Sequence, residues 1–135
     1  MFWKITSFFG CADLFGCCLK IPLNIPLGVT PLNAETALQN RIIAALCTHG
    51  CYAVNHTVGD FYTRYGNRVS IGVPGESDIW GHRPDGKAFY IEVKMPGKTP
   101  RQNQLDFIEA MKNTGAIAGW CTSVDEALQI VEVTK

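Results

Sequence analysis

The sequence lacks an excess of charge of either sign: 12 Lys and Arg balance 12 Asp and Glu over 135 residues. No global basic signature marks it as a nucleic-acid binder, so any such contact has to come from a local patch. It lacks internal repeats and low-complexity tracts, which excludes solenoids and arrays. It also lacks a run of membrane-spanning length. The apolar stretch from Met1 to Lys20 is too short and is interrupted by Asp13. A signal peptide would need a longer apolar region and a small-residue cleavage site. Leu14-Phe15-Gly16-Cys17 has the outline of a lipoprotein cleavage box, but Asp13 sits where apolar residues belong. The six cysteines (Cys11, Cys17, Cys18, Cys47, Cys51 and Cys121) show neither a disulfide-framework spacing nor a Cys-x-x-Cys. Cys47 and Cys51, with His49 and His56 nearby, match no standard zinc spacing, and Cys47 falls on a helix. Free thiols in a reducing cytoplasm are expected, with no membrane partner.

What is present suits one domain. Hydrophobic residues make up 47% of the chain, enough at this length for a single core. Residues 1–25 read as a loose extension, an interaction arm or a misassigned start. Pro22, Pro26 and Pro31 make 21–32 an extended linker. Asn33 can cap a helix that runs to about His49 and stops at Gly50, with Leu38, Ile42, Ala45 and Leu46 as its apolar stripe. Cys51 to Val58 and Arg68 to Val73 read as strands, with an aromatic stretch, Phe61 to Tyr65, between them. A helix from about Arg101 to Thr114 buries Phe107, Ile108 and Met111. A buried strand follows over 116–121, and the capping box Ser123-Val124-Asp125-Glu126 opens a last helix.

The chain is organised around Ser77 to Lys94. Its middle, Arg83-Pro84-Asp85-Gly86-Lys87, has the form of a tight turn. Beyond it, Phe89, Ile91 and Val93 alternate with Tyr90, Glu92 and Lys94, a strand pattern with one apolar face. A loop of 83–87 sets Trp80 opposite Tyr90 and Asp78 opposite Glu92, with Cβ atoms about 5 Å apart. Two carboxylates at that spacing repel unless a cation lies between them. Lys94 points to the same spot. A Glu-x-Lys on an exposed strand is by itself an ordinary solvated pair. The alignment of all three on one patch favours a site for a hard divalent cation, Mg²⁺ or Mn²⁺, able to activate water against a phosphate.

Asp-x(n)-Glu-x-Lys on an apolar-backed strand resembles the PD-(D/E)xK nucleases. Gly75-Glu76-Ser77-Asp78-Ile79, Ile91-Glu92-Val93-Lys94, Thr99-Pro100, Gln104-x-x-Phe107 and Gly115 narrow the resemblance to the VRR-NUC family, over roughly Glu35 to Val131. The resemblance implies an α/β fold, more closely α+β, with a mixed sheet and a restriction-endonuclease-like core in the order α-β-β-β-α-β-α. It implies a nuclease domain over 33–135, and the extension and linker over 1–32 lie outside the resemblance. It also implies Asp78 and Glu92 as metal ligands, with the backbone carbonyl of Val93 as a third, and Lys94 at the attacking water. The family's first helix contributes an acid, and Glu35 is the only acid on this one; a dipole-favoured first-turn acid is the other reading. The family carries a glutamine at the start of the later helix. Spacing and helical geometry select Gln104, which shares the inward face with Phe107 and Ile108, whereas Gln102 lies on the solvated face.

Charge is locally uneven. From Arg64 to Arg101 seven basic residues stand against four acids, two of them the candidate ligands. Arg64, Arg68, Lys98 and Arg101 are the candidate DNA contacts. The expected activity is metal-dependent hydrolysis of DNA phosphodiesters, selective for branched or flap DNA, with a homodimer if both strands are cut. The family links this to repair and phage replication. A non-catalytic nucleic-acid-binding module and a dimerising regulator built on the N-terminal arm are the rivals.

Overall fold

A computed structural model describes residues 33–133; the expected extension and linker, with Cys11, Cys17 and Cys18, lie outside them. In chain order the elements are α1 (Ala34–Thr48), β1 (Tyr52–Asn55), β2 (Gly59–Tyr62), β3 (Arg68–Ile71), β4 (Ile79–His82), β5 (Ala88–Val93), α2 (Gln102–Asn113), β6 (Ile117–Cys121) and α3 (Val124–Val131).

Local chemistry sets the ends. The Asn33 side chain accepts the Thr36 amide at 2.7 Å and starts α1. Gly50, at φ +80°, turns the chain out of α1 into β1. The Ser123 hydroxyl accepts the Glu126 amide at 3.2 Å and caps α3 as expected, while the Glu126 carboxylate reaches past the cap residue to the Thr122 amide at 2.6 Å.

Four strands form the main sheet in the order β1-β4-β5-β6. β1, β4 and β5 run antiparallel, and α2 crosses over to place β6 parallel to β5. Among the described residues, this sheet and the helices follow the expected α-β-β-β-α-β-α order. The strand expected at Arg68–Val73 is not part of it. It pairs with Gly59–Tyr62 as a separate two-stranded sheet inserted between β1 and β4. The aromatic stretch that precedes the turn thus supplies the partner strand.

One core lies between one face of the main sheet and the helices α1 and α3. Leu38, Ile42, Leu46, Ile79, Phe89, Ile91, Val93, Cys121 and Val131 pack there, most of them sealed completely. At about 25 cal/mol per Å² of apolar surface, this burial is the main favourable contribution to the fold. It also pushes the Cys121 thiol up to about 12, because the low-polarity surroundings penalise a thiolate. β1, β4 and β5 approach closely at Gly81, where a Cβ would lie 2.1 Å from the Tyr52 carbonyl and 2.5 Å from Phe89. The opposite face of the sheet is covered by α2, which buries Gln104 and Ile108. Among the described residues no helix is long and apolar enough to cross a membrane.

Candidate active site

The hairpin β4–β5 has the register that loop counting gives: Trp80 pairs with Tyr90 and Ile79 with Ile91. One step further brings Asp78 opposite Glu92. There the ladder gives way to a side-chain bond, in which the Val93 amide donates to Asp78 Oδ2 at 2.9 Å. Asp78 therefore leaves the strand yet stays tied to the backbone between Glu92 and Lys94. Its own carbonyl accepts the His56 amide at 2.7 Å, which anchors it on the β1 side as well.

Glu92 is fully buried. The solvated Glu-x-Lys pair is thus not what the fold builds, because α2 lies over this face. Lys94 Nζ and Gln104 Nε2 both donate to Glu92 Oε1. Glu92 Oε2 has no partner and no exposure. Desolvation is the main reason that the Glu92 carboxyl is pushed up to about 7. The Asp78 carboxylate alongside raises it further, while Lys94 works in the opposite direction.

Gln104 has two jobs. Its Oε1 accepts the Arg101 amide at 2.9 Å, satisfying a free donor at the start of α2, while its Nε2 reaches Glu92. Gln102, one side away, is exposed and donates to Asp106 Oδ1 at 2.7 Å along the solvent face.

The loop that delivers Asp78 is pinned from two sides. Glu76 Oε2 lies 2.8 Å from His56 Nε2 and accepts the Val73 amide at 2.9 Å. The Val73 amide is the largest influence holding the Glu76 carboxyl below its usual range, with His56 adding to it. Gly75, at φ +110°, passes so near α2 that a Cβ would meet the Asn103 carbonyl at 2.8 Å. The glycine there serves a close approach of protein backbone. His56 in turn stacks on Trp80 at 3.9 Å between centroids, and Trp80 and Tyr90 both pack against Phe107 of α2. This aromatic cluster holds α2 over the sheet at the distance that lets Gln104 reach Glu92.

Asp78, Glu92, Lys94, Gln104 and the backbone of Val93 are brought together. Glu35 is not added to them as a third acid: among the described residues no group of three or more His, Cys, Asp or Glu side chains is gathered to hold a metal. It occupies the first turn of α1, where a negative charge faces the positive end of the helix. Arg64 and Arg68 lie on the β2–β3 insert. Arg68 is paired with Asp60 at 2.7 Å, and Arg64 sits over the Tyr65 ring at 4.6 Å. Lys98 and Arg101 are exposed on the loop into α2. The sequence reading missed the His56–Glu76 bond and Trp120, which is registered with Glu92 on the neighbouring strand. No motif signals the first; the second follows only once β6 is known to be parallel to β5.

No protein-family model matches the chain, and no curated protein matches it significantly. In fold it is similar to a solved structure described as a VRR_NUC domain. That similarity has a TM-score of 0.54 and 19% sequence identity, and covers 73% of this chain and 94% of that one.

Proposed function

We propose that this chain is a metal-dependent nuclease that hydrolyses phosphodiester bonds in DNA. The observation that carries the reading is Glu92 Oε2, a buried carboxylate oxygen left without a partner beside a second acid. A buried carboxylate oxygen that no donor reaches, with the Asp78 carboxyl beside it, costs roughly 1–3 kcal/mol, which a bound cation would offset. The donor set fits a hard divalent ion, Mg²⁺ or Mn²⁺: carboxylate oxygens from Asp78 and Glu92, the Val93 carbonyl, and water for the remaining positions. Such an ion, when bound, supplies positive charge to phosphate oxygens and lowers the pKa of a coordinated water.

The chain's own residues do the rest. Lys94 and Gln104 fix the orientation of the Glu92 carboxylate by occupying one oxygen and leaving the other presented. The Val93 amide fixes Asp78 in the same way. Lys94, half-buried next to the acids, is placed to hold a water and to neutralise charge developing on phosphate. Lys98 and Arg101 are placed to contact the DNA backbone at the start of α2. The similarity in fold to a VRR_NUC domain supports this reading. A homodimer would allow both strands to be cut, and branched or flap DNA is the substrate class the sequence resemblance favours.

The test is incubation of the full chain with supercoiled, flap and four-way-junction DNA in Mg²⁺, Mn²⁺ or EDTA. Cleavage is expected with either metal and not with EDTA. Glu92→Ala should abolish cutting while DNA binding persists. A folded protein that cuts none of these substrates would overturn the nuclease and leave the binding module.

A further inference from the structure

Asp78 and Glu92 are held in different ways. Glu92 lies within β5 and pairs with Trp120 of β6, so the sheet itself sets its position. Asp78 stands one residue before β4, at the end of a loop with two glycines of left-handed φ, Gly72 at +69° and Gly75 at +110°. The chain reaches Asp78 from the β2–β3 insert, in which every residue from 60 to 74 is exposed. A lone two-stranded sheet is marginal in water. A functional carboxylate has to be fixed to within about 0.5 Å, so something other than the insert must hold Asp78.

His56 is placed to do so. It continues β1 by one residue, opposite Asp78 in the β1–β4 register, and touches three alternate residues of the facing chain. Its ring Nε2 lies 2.8 Å from Glu76 Oε2, its amide donates to the Asp78 carbonyl at 2.7 Å, and its ring stacks on Trp80 at 3.9 Å between centroids. Asp78 is the middle one of the three. The contact with Glu76 spans the insert, since it joins residues 20 positions apart. Glu76 also closes its own turn. Its Oε2 accepts the Val73 amide at 2.9 Å, and its amide donates to the Val73 carbonyl at 3.1 Å. The bonds from His56 and from Val73 thus end on one oxygen. That oxygen has room because residue 72 is glycine: a Cβ there would lie 2.8 Å from Glu76 Oε2 and 3.3 Å from His56 Nε2. The two side chains are only 23% and 16% exposed, so water competes weakly for the bond between them. Glu76 is not gathered with Asp78 and Glu92 into a three-acid cluster among the described residues.

We propose that His56 and Glu76 are positioning residues for the metal site: their bond closes the base of the insert and holds the Asp78 carboxylate where it meets Glu92. The bond requires an accepting oxygen at residue 76 and not a negative charge. The proposal rests on the proposed metal site and adds to it two residues that touch neither metal nor substrate. Outer partners of this kind orient the groups that ligate a metal.

The experiment compares the full chain with Glu76→Ala, Glu76→Gln and His56→Phe. Phenylalanine keeps a ring for Trp80 and the amide for Asp78, and loses only the ring N–H. Glutamine keeps the accepting oxygen and loses the charge. In EDTA, amide hydrogen exchange reads the anchor directly, because Val93 donates its amide to Asp78 Oδ2 and His56 its amide to the Asp78 carbonyl. Both amides should exchange about tenfold or more faster in Glu76→Ala and His56→Phe, and at the wild-type rate in Glu76→Gln. By calorimetry, the first two should bind Mg²⁺ about tenfold to a hundredfold more weakly, and Glu76→Gln within about threefold of the wild type. Glu76→Ala and His56→Phe combined should lose little more than either alone, because they remove the same bond. Ile43→Val, a truncation in the core on the other face of the sheet, should melt earlier yet keep its Mg²⁺ affinity, which separates positioning from stability. Glu76→Gln as damaging as Glu76→Ala would make charge the cause and overturn the proposal. Unchanged amides and Mg²⁺ affinity in Glu76→Ala and His56→Phe would overturn it too, as would loss of DNA binding in EDTA, which would assign the pair to a DNA contact. A wild type that binds no Mg²⁺ overturns the metal site alone, while faster exchange in Glu76→Ala and His56→Phe would still uphold the pair as the anchor of Asp78.

Discussion

Gln104 donates to the same oxygen of Glu92 that Lys94 reaches, and so leaves the other oxygen of that buried carboxylate bare. A residue on a crossover helix thereby decides which lone pairs of a strand residue remain available. The same glutamine closes the first turn of its helix through Arg101.

Gln104→Ala should therefore act twice. Losing the bond to Glu92 should lower the cleavage rate at least about tenfold, roughly 1.4 kcal/mol of barrier. Losing the cap should lower stability by about 1 kcal/mol. Gln102→Ala removes only a solvent-facing bond to Asp106, worth a few tenths of a kcal/mol. Single-turnover rates and thermal melts of the two variants check this. A more damaging Gln102→Ala would contradict the inward face assigned to α2.

Glu92 makes the metal-free protein sensitive to pH in an unusual direction. Its carboxyl is raised from 4.5 to about 7 on folding, so the folded chain holds the proton more tightly than the unfolded one. Its contribution to stability is complete below about 4.5 and is lost as pH rises to about 7, with a slope of at most about 1.4 kcal/mol per pH unit. In EDTA, melts of the wild type should fall over that window relative to Glu92→Gln, in which the titrating group is gone. Mg²⁺ should restore the wild type at neutral pH and leave Glu92→Gln unchanged. Parallel curves for the two proteins would mean that Glu92 ionises as freely as in the unfolded chain.

Asp78→Asn keeps an oxygen that can accept the Val93 amide but removes the charge. It should fold with a Tm close to that of the wild type, bind Mg²⁺ weakly by calorimetry, and not cut DNA. Asp78→Ala should melt earlier, because the Val93 amide is then left unsatisfied at a cost of about 1–3 kcal/mol. Undiminished cleavage by Asp78→Asn would remove this carboxylate from the metal site.

Lys94→Arg preserves charge but replaces a compact ammonium with a planar fork in a half-buried position. Most turnover should be lost while Mg²⁺ affinity, read by calorimetry, changes little. Near-normal turnover would show that Lys94 does not hold the water.

The strand alternation and the Pro-Asp-Gly turn were enough to give the hairpin its register, because a period of two and a fixed loop length leave one way to pair Trp80 with Tyr90. The caps at Asn33 and Ser123 and the inward face of Gln104 were legible for the same reason: each depends on residues at most four positions apart. Contacts between distant segments were not legible. The pairing of Phe61 with Val69 in a separate sheet, the stacking of His56 on Trp80 and the register of Trp120 with Glu92 join such segments, and no local pattern encodes them. The burial of Glu92 belongs with these. A Glu-x-Lys on a strand is polar in sequence and solvated by default, and only the docking of α2 over that face removed the water and left one oxygen of the acid without a partner.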